Sequence, residues 1–341
     1  MQIDGSLNAE FLSDIPRRTR ELIDIGYDGF YMFEGREDVF LPCTLAANET
    51  RGSHHLSTQV AVAFARNPLS LAYIANDLNA LAGGKFVLGL GTQARQNIEQ
   101  RFSMPWGKPV SRMRDMVRAI QAIFRCWDTG EPLRHEGEYY RHTKMQPMFT
   151  PPMNPHGRPK IMLGGIGAPM TRLAGEVADA FVIIPFHTPR FLEQVTFPAL
   201  DEGAALSGRT RADLDLYAQC MVVTGLSEER YREAYERTRH QIAFYGSTPI
   251  YAKALEAEGW GEYHARWRQM AREGQWQEMA ATVPDAMVEA FAVTGTPREV
   301  ATKLHARFGD FLSRLSVMTT YVMEAEAEAQ LVAELQRLRA A

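Results

Sequence analysis

Three stretches of this chain carry residue types that could do chemistry: the acidic run Glu34-Gly35-Arg36-Glu37-Asp38 and two glycine-rich turns, Gly89-Leu90-Gly91-Thr92-Gln93 and Gly164-Gly165-Ile166-Gly167. Each follows a short apolar burst, "DGFYM", "KFVL" and "KIML" respectively. Glycines between a strand and a helix let backbone N–H groups approach an anion, and the positive end of the next helix adds attraction. Thr92 and Gln93 contribute a hydroxyl and an amide. A carboxylate at the end of an apolar strand can hydrogen-bond a hydride-transferring ring or exchange a proton with it, and Glu34, Glu37 and Asp38 are all candidates. The same residues have a bland reading, as tight turns and a salt-bridged surface loop. The spacing G-x-G-T-Q also lacks the third glycine of a dinucleotide fingerprint.

Two more places qualify. Thr58 and Gln59 interrupt the otherwise apolar "HLSTQVAVAF" and need partners if they face inward. His187, in "VIIPFHTP", follows an apolar strand, where a histidine can donate a proton. His54 and His55 precede their strand, and the other histidines fall on hairpin, loop or helix positions. No HExxH, GxSxG, Walker loop or paired-histidine spacing occurs, so neither a metal nor hydrolase chemistry is expected. Cys43, Cys126 and Cys220 lie far apart with no C-x-x-C, which suits buried thiols in a reducing cytoplasm.

The elements that must position these residues alternate almost from end to end. Strands are expected at "MQIDGSL", "DGFYMFE", "HLSTQVAVAF", "FVLGLG", "KIMLGG", "DAFVIIP", "LDLYAQCMVVTG" and "RLSVMTTYV". Amphipathic stretches separate them, such as "EFLSDIPRRTRELIDIG", closed by Gly26, and "LSLAYIANDLNALAGG", opened by Asn67-Pro68. "EPLRHEGEYYRHTKM" reads as a hairpin. Eight strands each followed by helix is the signature of a (β/α)8 TIM barrel, although an open doubly wound sheet shows the same alternation. A Trp-rich helical stretch, about 245–287, breaks the rhythm and reads as an insertion over one barrel mouth within a single domain, 1–341. In 341 residues the net charge is only −4, against nucleic acid as a main partner, and no apolar run is long enough to span a membrane. A cytoplasmic protein acting on a small molecule is expected.

Taken in order, "EDVFLP", "VAFARNPLSLAYIANDLNALAGGKFVLGLGTQ", "RFSMPWGKP", "RLAGEVADAF", "QIAFYGSTPIY" and "VTGTPREV" resemble the bacterial luciferase-like monooxygenase superfamily, and within it the branch that uses the deazaflavin coenzyme F420. The resemblance runs from "LIDIGYDGFYMFE" to "VTGTPREVATKL". It implies a (β/α)8 barrel with the ring at the C-terminal mouth and hydride transfer between C5 of the coenzyme and a small organic substrate. By position, Asp38 matches the carboxylate beside the ring. Thr58, Gln59 and Val60 match a third-strand bulge where members often have a non-proline cis peptide. Gly91, Thr92, Gln93 and Asn97 match the loop lining the cofactor tail, and Gly165, Ile166 and Gly167 match the phosphate loop. Glu37 and His187 are the proton donors this reading would use. Glu37 stands where many relatives carry His, Ala94 where relatives with a glucose-6-phosphate-type site carry an acid, and Gly167-Ala168-Pro169 where relatives tend to read Gly-Pro. An FMN-dependent monooxygenase and a non-catalytic cofactor-binding barrel are the alternatives. Relatives are commonly dimers, so a homodimer is implied.

Overall fold

Alternation along each strand decides what faces the barrel lumen and what faces the helices. The computed structural model describes residues 1–340. Its barrel strands are β1 (Gln2–Ser6), β2 (Gly29–Met32), β3 (His55–Thr58), β4 (Phe86–Gly91), β5 (Lys160–Gly165), β6 (Ala180–Ile183), β7 (Asp215–Val223) and β8 (Arg314–Met318). Each pairs in parallel with the next, and β8 returns to β1 with Gln2 opposite Arg314 and Ile3 opposite Leu315. The sheet is therefore closed, and the open doubly wound alternative is set aside. Two short strands extend the C-terminal rim: Ala61–Val62 on β4 and Ala292–Thr294 on β7.

The helices form where the sequence supplies both an apolar stripe and an end signal. Ile15–Ile25 buries Ile15, Thr19 and Leu22, and stops at Gly26, whose φ of 101° is left-handed. Asn67 caps Pro68–Leu81 by accepting the Leu69 N–H, with Pro68 in the first turn. Thr296 and Glu299 form a capping box on Pro297–Phe308. The expected hairpin is present as His135–Glu136 against Arg141–His142.

Apolar side chains lie in two bodies. The larger fills the layer between strands and outer helices. The second lies under the late insertion, where Ala252–Ala257, Gly261–Arg272, Trp276–Ala281 and Asp285–Phe291 pack around the helix Glu228–Ser247 and over Phe186 and Met221 of the barrel rim. That helix runs to Ser247, so the extra segment begins a little later than the pattern suggests. Trp267 is fully buried and donates to Thr282 Oγ1 at 2.7 Å, so it packs rather than waits for a ligand. Trp276 is exposed.

The lumen is filled rather than hollow. At its N-terminal end Arg314 grips Asp4 through Nε and Nη2, at 2.8 and 2.5 Å. Above lie Val87, Met162, Ala180, Val182 and Tyr217, in contact with Val60.

Candidate active site at the C-terminal rim

The centre of the site is made by β3, which ends at Thr58, turns inward and resumes at Ala61. Thr58 Oγ1 donates to Gly89 O at 2.7 Å and accepts the Gly89 N–H at 2.8 Å, pinning the turn to β4. Gln59 lies across the lumen: its amide donates to Ser57 Oγ, its side-chain oxygen accepts from Ser316, and its backbone oxygen accepts from Gln219. The polar interruption read from the sequence thus finds its partners inside the barrel. The Gln59–Val60 peptide bond is cis.

This inward turn explains the neighbouring glycines. A Cβ on Gly89 would sit 1.8 Å from Thr58 O, one on Gly91 2.5 Å from Val60 Cγ2, and one on Gly164 2.9 Å from Val60 Cγ1. Gly89, Gly91 and Gly164 therefore make room for the chain at 58–60. What remains free to meet a ligand is the backbone just beyond them.

Beyond β4, Gln93 has a φ of 59°, and its Oε1 accepts from Ala94 N and from Asn97 Nδ2. Beyond β5, Gly167 is the N-cap of the helix Ala168–Val177, and no side chain caps that first turn. A Cβ on Gly167 would meet nothing closer than Pro169 at 3.8 Å. Since β4 and β5 are paired, with Leu90 opposite Leu163, the two loops leave the rim side by side. The segment that begins at Gly91 therefore starts beside the one that begins at Gly165.

The acidic run divides its labour. Glu34 is the buried member: its Oε2 accepts from Val62 N at 2.5 Å and from Arg66 Nη1 at 2.6 Å. Asp38, at 44% side-chain exposure, accepts from Arg66 Nη2 at 2.8 Å and takes the Phe40 N–H at 2.9 Å. Arg66 is a clamp between two carboxylates. Arg66 carries no signal in the sequence, because its contacts depend on the tight turn at Ala63–Ala65. Glu37 lies in the same loop and forms no ion pair among the described residues.

Arg112 likewise carries no signal in the sequence. Arg112 is buried and donates to Pro105 O, to Trp106 O at 3.0 Å and to Phe64 O at 3.3 Å. It holds the "RFSMPWGKP" loop against Phe64, whose ring meets Trp106 edge-on.

His187 does not join this group. Its ring packs edge-on against Phe308 in the layer outside the barrel, and its Nδ1 donates to Ile184 O at 2.7 Å. Burial pushes its pKa down to about 4, so it is neutral at ordinary pH and holds no extra proton to give. The chain past β6 turns outward there, so a position near the strand end does not bring the ring to the mouth.

The chain as a whole is similar to known proteins. An uncharacterized protein of Mycobacterium tuberculosis (strain ATCC 25618 / H37Rv) is 43% identical over 290 residues, 85% of each chain. A 5,10-methylenetetrahydromethanopterin reductase of Archaeoglobus fulgidus is 27% identical over 83% of this chain and 82% of its own. Among solved structures, the coenzyme F420 dependent tetrahydromethanopterin reductase from Methanopyrus kandleri superposes with a TM-score of 0.79, covering 98% of both chains at 19% identity. The family model for luciferase-like monooxygenase matches residues 2–313, and the chain belongs to that family.

Proposed function

We propose that this protein is a coenzyme F420-dependent oxidoreductase that exchanges a hydride with a small organic substrate. The observation that carries the reading is the pair of loops leaving β4 and β5 side by side, one ending in a helix start that no side chain caps, next to the inward turn of β3. Resemblance to a putative coenzyme F420-dependent oxidoreductase of Mycobacterium tuberculosis, 27% identical over 82% of this chain and 84% of its own, supports the deazaflavin.

The residues present suit such a group. The backbone around Ile166–Ala168, with Thr92, Gln93 and Asn97, would hold a phosphate-bearing tail, because a helix start with free N–H groups attracts an anion. Val60 would support the ring, with Arg66, Glu34 and Asp38 along one side. The bound coenzyme supplies the carbon that gives or takes the hydride; the chain supplies orientation and exclusion of water. Asp38 and Glu37 are the polar groups of this loop exposed enough to pass a proton.

The test is a side-by-side titration of the purified chain with coenzyme F420 and with FMN, followed by mass identification of any ligand that co-purifies. Preferential binding of F420, with reduction or oxidation of that coenzyme by a small organic compound, is the expected result. A tight FMN complex with NAD(P)H-driven oxygen uptake would replace it with a flavin monooxygenase. A bound coenzyme that no donor or acceptor turns over would leave a cofactor-binding barrel.

A further inference from the structure

At the opposite, N-terminal end of the barrel lies a cavity of about 560 Å³. Its charged walls come from Lys85, Arg158, Lys160 and Arg314 against Asp28 and Asp215. Strand register makes this a cluster: Leu56, next to His55, lies opposite Phe86, next to Lys85, and Val87 lies opposite Lys160.

The cations differ in what they have left to give. Arg314 is taken up by Asp4 and Gln2, and Arg158 by both oxygens of Asp179. Asp28 is occupied by the Ile3 N–H and by Arg339. Lys85 donates only to Ser53 O, at 2.9 Å, and pairs with no carboxylate among the described residues. Lys160 spends one donor on Asp215, at 2.5 Å. Two ammonium groups with unspent N–H donors therefore face one polar cavity, beside the imidazole of His55. That imidazole is held neutral by burial and then by Arg314, Lys160 and Lys85, which is how a positive local potential acts on a base.

We propose that this cavity is a binding site for a small phosphate-bearing molecule, with Lys85 and Lys160 as its anion-holding residues. A lysine ammonium is a sound phosphate partner, and the volume exceeds that of a bare phosphate and falls in the range of small-molecule sites. The layers at Tyr217, Met162 and Gln59 close the lumen above it. A ligand here is separate from the C-terminal rim, and the proposal does not depend on which cofactor binds there.

Isothermal titration of the full chain with inorganic phosphate, at fixed ionic strength with chloride as the balancing salt, tests it. A saturable site is expected that Lys85→Met and Lys160→Met each weaken about tenfold, and that saturating coenzyme F420 or FMN leaves unchanged. Both lysines are exposed, so folding of the variants is not at stake. Absence of saturable binding, binding indifferent to both substitutions, or binding displaced by either cofactor overturns the proposal.

Discussion

At the scale of single residues, the glycines of β4 and β5 give the sharpest test of cause. Gly91→Ala would place a methyl 2.5 Å from Val60 Cγ2 in a filled lumen. Overpacking of this kind costs about 1–3 kcal/mol, so the ligand-free variant should unfold at lower urea than the parent. If stability is unchanged and only cofactor binding suffers, Gly91 serves the ligand rather than the turn of β3. His187 makes a prediction of a different kind. Its pKa is about 4 in the fold against 6.5 as the reference, so between those values the unfolded chain takes up a proton that the native chain refuses. Stability should therefore fall as pH drops through this window, by about 3 kcal/mol in total from this residue. His55, also pushed down, acts in the same direction. In His187→Asn, whose amide nitrogen takes the place of Nδ1 toward Ile184 O, the loss between pH 7.5 and 5 should be shallower by about 2 kcal/mol in urea unfolding. An equally steep loss would place the titrating group elsewhere.

At the scale of elements, the helical hairpin junction depends on one carboxylate. Asp115, buried on the helix Pro109–Thr129, accepts from His135 Nε2 at 2.7 Å and from the Tyr139 and Tyr140 N–H groups at 2.6 and 3.0 Å. A Cβ on Gly137 would fall 1.7 Å from Asp115 Oδ1, so the turn of the hairpin is shaped around this side chain. Tyr140 in turn accepts from Arg112, which holds the loop at Pro105 and Trp106 beside Phe64. Asp115→Ala leaves three half-buried donors without their acceptor, a cost of about 1–3 kcal/mol. Amide exchange at Tyr139 and Tyr140 should accelerate before that of the barrel strands. If exchange there stays slow, the hairpin is held by something other than Asp115. The hairpin itself is legible in the sequence from its turn, as are all eight strands, because strands buried on both faces read as short apolar bursts between amphipathic stretches. The anchoring of the hairpin was not legible: Asp115 is one more polar residue on an amphipathic helix until the fold brings residues 135–140 to it. The pairing of Glu34 with Arg66 is not legible for the same reason, since it spans 32 residues and is routed through a turn. His187 follows a strand without reaching the mouth, because the period of a strand says nothing about where the chain goes after it ends.

At the scale of the whole molecule, closure of the barrel is what the alternating pattern leaves open, since no strand pattern names its partner. At the closing seam, where the first strand pairs with the last, an ion pair spans 310 residues, from Asp4 to Arg314. Both are almost fully buried, and a Cβ on Gly29 of β2 would collide with both side chains, so the pair occupies the one space left between three strands. A buried pair of this kind need not add stability over an apolar filling, but half of it is costly, because the remaining charge has no water. Arg314→Met should therefore lose about 3–5 kcal/mol. Asp4→Asn combined with Arg314→Met should lose clearly less than the two single substitutions added together, with a coupling of about 1.5 kcal/mol or more. Urea unfolding of the four proteins completes the cycle. Simple additivity would mean that Asp4 and Arg314 act through separate neighbours, and that the β1–β8 seam is held by its backbone ladder and the surrounding helices alone.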